Sequence, residues 1–278
     1  MSFLLFVDQL GTRAKWNEGG APMATAHFRR LEKFVESSLD LTKPATMQGG
    51  IIESDAVALL FTSLRETFAF GAHLFRAAFG VDKNRRKHSP KEPINYMWLR
   101  GAIVPYVADL PLRQETPLSA NDRSVSVSRY SSSLLDAIAI EKSSFKGMRI
   151  LVSESTSLTR KLRHREASFS HLELPMTVSP FARLPDSMYP ERLATDFFDF
   201  LWMASDTHGR WQRLRSIADI RLHHSAGNPE EFMHAAATKV VFYAAKNKFT
   251  KEAAKQNAFL PSATQPNDAM QRIAGGSR

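Results

Sequence analysis

The sequence predicts an α/β or α+β fold in which helices pack on a sheet. Short apolar runs rich in Val, Ile, Leu and Phe alternate with longer segments whose apolar residues recur at helical spacing. The 278-residue chain is 43% hydrophobic, enough to build a sizeable core. Two of the strand-like runs each carry one aspartate, Asp8 and Asp55. A carboxylate inside an apolar run needs a partner or a metal ion, because burying a bare charge is costly.

The run Phe3-Leu4-Leu5-Phe6-Val7-Asp8 reads as a strand closed by a turn at Gln9-Leu10-Gly11-Thr12. Residues 22–41 read as a helix, with Phe28, Leu31, Phe34, Val35 and Leu39 near helical spacing. The run 51–61 reads as one strand holding Asp55, and 64–80 as a helix with a stripe of Phe68, Ala72, Phe75 and Phe79. A basic loop with two prolines follows at 82–93, then a strand at 96–104, an irregular stretch at 109–125, a helix at 131–142 and a strand at 148–153. After about residue 175 prolines punctuate the chain, and helices are expected near 191–204, 208–222 and 229–246. The expected division is therefore a main α/β domain over 1–175, a helical extension over 176–258 and a disordered tail over 259–278.

Composition narrows the function. No cysteine is present, which excludes disulfides, zinc-thiolate sites and thiol chemistry. The formal charge of +9 suits a polyanionic ligand: nucleic acid, a nucleoside triphosphate or an acidic membrane surface. The clusters at 82–91 and 160–165 read first as solvated surface. The apolar N-terminus lacks a basic segment before it and is broken by Asp8, so no signal peptide is expected. No run approaches the ~20 apolar residues of a membrane span. A cytoplasmic location is the expectation.

Two carboxylates on neighbouring strands repel unless a cation sits between them. Hard divalent ions use carboxylates together with substrate phosphates in this way. Asp8 and Asp55 are therefore candidate ligands of Mg²⁺ or Mn²⁺, two ions per site, with the carbonyl of Gln9 as a further ligand. Backbone N–H groups of Gln9, Leu10, Gly11 and Thr12 are candidates to cradle phosphate, Gly11 permitting close approach. Taken alone, an aspartate before a glycine is also an ordinary turn.

The order of these motifs resembles the class III nucleotidyl cyclase catalytic domain. It runs from the strand with Asp8 and Gly11, through Ser54-Asp55 and Leu99-Arg100-Gly101-Ala102-Ile103, to Ile140-Glu141 and Gly147-Met148-Arg149-Ile150-Leu151-Val152-Ser153. Within that superfamily the chain is most similar to bacterial pyrimidine cyclases of the Pycsar anti-phage systems. The resemblance covers roughly residues 1–155. It implies a ferredoxin-like core with helices on a mainly antiparallel sheet, and a head-to-tail homodimer with active sites at the interface. It also implies attack of the ribose 3′-hydroxyl on the α-phosphorus. The product would be a 3′,5′-cyclic nucleotide that activates a downstream effector against phage.

Two departures bear on substrate and catalysis. The purine-reading lysine position holds Ile51, which favours a pyrimidine, UTP first and CTP as the alternative. The helix that usually offers an Asn and a transition-state Arg offers neither in register, leaving Arg100, Arg129 and Arg123 as candidate cations. Tyr96, Trp98 and Tyr130 are candidate stacking partners for the base, or else core aromatics. The adjacent His223 and His224 cannot face one way on a helix, and the Trp202 and Trp211 region reads as core or interface. Competing readings are a cyclase fold that has lost catalysis and a nucleic-acid-binding protein using the basic loops.

Overall fold

The structure, a computed structural model, describes residues 2–79, 97–107, 131–142, 147–153, 181–182, 197–200, 202, 217–223, 225–229 and 231–243. The strands are β1 Ser2–Gln9, β2 Met47–Glu53, β3 Ala56–Phe61, β4 Leu99–Tyr106, β5 Ile150–Ser153, β6 Phe181–Ala182 and β7 Phe197–Phe200. The helices are α1 Thr12–Thr42, α2 Leu64–Phe79, α3 Ser132–Glu141, α4 at residues 217–223 and α5 at 231–243. All seven strands form one sheet in the order β2-β3-β1-β4-β5-β7-β6, antiparallel except for β4 with β5. The β1-α1-β2-β3-α2-β4 unit is thus a ferredoxin-like α+β core.

The register places the site. Asp8 stands opposite Ala56 on β3 and Arg100 on β4, so these three residues share one face. Gln9, Val7 and Leu5 alternate to the other face, where α1 and α2 pack. A methyl group on Gly71 of α2 would touch Leu5, and the Gln9 side chain meets His27 of α1. The apolar stripe of α2 is buried as its spacing predicts, including Phe68, Phe75 and Phe79. Burying each such ring contributes about 1.5–3 kcal/mol. The third helix, α3, covers the Asp8 face. Ser131 caps it by accepting from Leu134 N–H at 3.1 Å, and Ser133 Oγ accepts from Val107 N–H at 2.8 Å.

Several boundaries differ from expectation. The run 51–61 is a hairpin rather than one strand: β2 and β3 meet at a two-residue loop, Ser54-Asp55, with Ser54 at φ 51°. The polar triplet Glu53-Ser54-Asp55 supplies turn residues that break the apolar run. The first helix starts at Thr12 rather than near residue 22. It bends at Gly19-Gly20, where the backbone leaves helical geometry, and Pro22 lies in the next turn.

The segment expected as a helix over 191–204 contains β7 instead. Its Phe-Phe-Asp-Phe alternation puts Phe198 and Phe200 in the core, while Asp199 lies on the other face. Far from standing apart as an extension, the described part of 176–258 completes the same sheet and the same core, with Trp202, Ile217 and Phe242 in the main apolar cluster.

Buried polar groups join this part to the rest. Arg149, just before β5, makes a two-pronged ion pair with Asp199, both contacts 2.6 Å. Trp202 donates to the Met148 carbonyl at 2.9 Å. Arg221 on α4 donates to the Ala78 carbonyl at 3.1 Å and lies over the Trp98 ring at 4.2 Å. His234 and Thr238 of α5 accept from the N–H groups of Gly147 and Met148 at 3.0 and 2.9 Å. No described helix is long and apolar enough to cross a membrane.

Candidate functional site

The carboxyl end of β1 gathers the chemistry. One backbone bond sets its geometry: Gln9 N–H donates to the Asp55 carbonyl at 2.7 Å. That bond pins the β2–β3 turn against the end of β1 and brings Asp55 beside Asp8. Leu10 N–H donates to the Trp98 carbonyl at 2.9 Å, which ties the turn between β1 and α1 to the start of β4. Gly11 then takes φ 95°, a left-handed conformation that suits glycine, and α1 begins at Thr12 with no side-chain cap.

These bonds correct the expected phosphate cradle. The N–H groups of Gln9 and Leu10 are engaged within the fold, so a phosphate would meet Gly11 and the first turn of α1 instead. The Gln9 carbonyl receives the Thr12 hydroxyl at 3.4 Å.

The Gln9 side chain points under α1, away from Asp8. Its Nε2 donates to His27 Nδ1 at 3.3 Å. Burial, followed by the nearby Arg30, lowers the His27 pKa and favours the neutral ring that can accept this bond.

Asp8 does not stand alone on its face. Arg100 Nη2 lies 3.7 Å from Asp8 Oδ2 and makes a closer ion pair with Glu141, the last residue of α3. Glu141 also shares a hydrogen bond with Asp8. The Asp8 side chain is 21% exposed and that of Glu141 only 2%. Burial first, then repulsion from Glu141 and Asp55, pushes the Asp8 carboxyl up to about 8 against the pull of Arg100. Burial likewise raises Glu141, while Arg100 opposes the rise. The described residues offer no acceptor to the buried Arg100 Nε.

Glu141 and His27 are the contacts the sequence reading did not single out as site residues. The charged end of the apolar run Ile138-Ala139-Ile140-Glu141 was a visible signal for the first. Nothing local marked His27.

The other expected residues divide. Ile51 lies on the Asp8 face, paired with Ala58 on the outer side of β3, and is packed in the core. Trp98 is stacked by Arg221 and lies near the His234 ring, so it serves the core rather than an open base site. Trp202 is a core residue, as expected, and His223 is exposed. Arg129, Tyr96, Arg123, Tyr130, Trp211, His224 and both basic clusters lie outside the described residues.

Whether this donor set suits a divalent cation turns on its charge. Asp8 carries a surplus of neighbouring negative charge that raises its affinity for a proton, and a metal ion answers the same surplus. Among the described residues no three Asp, Glu, His or Cys side chains stand close enough to hold an ion by themselves. The fit is therefore that of a hard ion taken by one or two carboxylates with the remaining ligands from substrate phosphates.

A separate groove of about 780 Å³ runs along α1, lined by residues including Pro22, Arg29, Arg30 and Lys33, and contains none of the acidic residues. No model of a known protein family matches this chain, and no curated protein matches its sequence.

Proposed function

We propose that the protein is a divalent-cation-dependent nucleotide cyclase that converts a pyrimidine nucleoside triphosphate, UTP by preference, into its 3′,5′-cyclic monophosphate and pyrophosphate. The observation that carries the reading is the pinning of Asp55 beside Asp8 by the 2.7 Å bond from Gln9 N–H, at the open N-terminus of α1. Two carboxylates and a helix N-terminus at one strand end make a site for a metal–triphosphate complex.

In this reading Asp8 and Asp55 hold the Mn²⁺ or Mg²⁺ ions, with the Gln9 carbonyl as a further ligand. The ions supply charge neutralisation at the leaving pyrophosphate and acidify the attacking hydroxyl. Gly11 and the first turn of α1 bind phosphate oxygens. The 3′-oxygen forms a bond to the α-phosphorus as the bond to the bridging oxygen breaks, and the hydroxyl proton leaves to solvent. Arg100 is the described arginine nearest these groups and the candidate for the charge that grows on the phosphoryl oxygens. Ile51 offers a base no hydrogen bond, which supports a pyrimidine without separating UTP from CTP. The homodimer with shared sites and the anti-phage signal rest on the resemblance.

A second reading has an observation of its own. Arg100 already sits against Asp8 and Glu141, so an internal cation could stand in for the metal in a cyclase fold that binds nucleotide without turning it over.

The test is incubation with each of the four nucleoside triphosphates and Mn²⁺, with products read by mass spectrometry. One cyclic pyrimidine nucleotide is expected, and Asp8→Ala or Asp55→Ala should each abolish it while the fold survives. Undiminished product from a clean preparation of either variant removes the metal assignment. Nucleotide binding without any product favours the second reading.

A further inference from the structure

Glu141 occupies a place that a carboxylate does not favour. It is the last residue of α3, where the negative end of the helix dipole opposes a negative charge. Its side chain is almost wholly buried, which penalises that charge again. Arg100 answers both costs, and register fixes where Arg100 can be. It stands directly across from Asp8 on β4, its Nη2 shared between two carboxylates. The sharing is unequal: Glu141 is in direct contact, while Asp8 Oδ2 is 3.7 Å away, beyond a hydrogen bond.

We propose that Glu141 is a positioning residue that holds Arg100 off Asp8, keeping the Asp8 carboxylate open to a divalent cation. The proposal rests on the cyclase reading of the site. Without Glu141 the guanidinium has, among the described residues, Asp8 as the carboxylate left in reach, and becomes an internal competitor of the metal ion. With Glu141 in place Arg100 stays beside the metal carboxylates without closing them, ready for an incoming phosphate.

The test is a double-mutant cycle on the full chain. Mn²⁺ affinity is measured by titration calorimetry with a 3′-deoxy pyrimidine triphosphate, which lacks the attacking hydroxyl. Glu141→Gln should weaken Mn²⁺ binding. Arg100→Gln should then strengthen it by a larger factor in the Glu141→Gln background than in the wild type, the two factors differing by about tenfold. Additive effects of the two substitutions, as two independent charges would give, overturn the positioning role and leave the metal assignment standing. A wild-type protein that takes up no Mn²⁺ overturns both. Should Glu141→Gln fail to fold, Glu141→Asp keeps the charge, draws it back from Arg100 and should show coupling of the same sign, additivity again being the contrary result.

Discussion

Asp8 is the residue whose surroundings say most about the site. Burial and the nearby Glu141 and Asp55 raise its carboxyl to about 8, well above the ordinary value of 3.8. The sign of the consequence follows from linkage. A folded-state pKa above the unfolded one gives stability that is full below the ordinary value and is lost as pH rises through the folded one. The metal-free protein should therefore lose stability from about pH 4 to about pH 8, and Asp8→Asn should flatten that slope. Denaturant titrations of both proteins across this range check it; parallel slopes would show that Asp8 is not the group responsible. A cation bound at Asp8 replaces the proton, so Mn²⁺ should stabilise the fold more at the alkaline end.

At the scale of elements, the turn between β1 and α1 decides whether the site exists. Gly11 at φ 95° lets the chain pass from strand into helix within two residues. A β-carbon there would meet nothing within 4 Å, so substitution costs backbone strain rather than a clash. Gly11→Ala should destabilise the protein by about 1–2 kcal/mol. It should also weaken triphosphate binding, because the first turn of α1 would be re-aimed. Urea unfolding and nucleotide titration read the two effects separately, and an unchanged midpoint would mean the turn relaxes without strain. The hairpin at Ser54-Asp55 acts in the same way, since its short loop delivers Asp55 to the end of β1.

The described residues form one sheet with one core, and those after residue 175 belong to both. β7 pairs with β5, Phe200 packs on Phe68 with ring centroids 4.6 Å apart, and Arg221 reaches Ala78 and Met97 from α4. Arg149 and Asp199 are both almost fully buried, so removing either deprives the other of its two-pronged partner, a loss of about 3–5 kcal/mol. A chain ended at residue 175 loses β6, β7, α4 and α5 together and deprives Arg149 of Asp199. It should lack a cooperative thermal transition and fixed near-ultraviolet circular dichroism. A folded 1–175 fragment would show that the core closes without the rest.

Local pattern was enough for much of this. The sequence by itself determined the α+β class, the β1 strand, the buried stripe of α2, β4, α3 and β5, because helical spacing marks the helices and short aliphatic and aromatic runs bounded by turn residues mark the strands. It also singled out Asp8 and Asp55, as charges in apolar runs. It did not place the hairpin break, because an apolar run with a polar triplet reads alike as one strand or two. Nor did it find β7, because four residues rich in phenylalanine carry no period that separates strand from helix until a partner strand supplies the hydrogen bonds. Only the tertiary structure joined Glu141, from the end of a helix, to Asp8 and Arg100 across a strand pair. Only it showed that two of the expected phosphate-binding N–H groups are spent on Asp55 and Trp98. Those contacts join residues far apart in the chain, and their energy exists only once the sheet has brought them together.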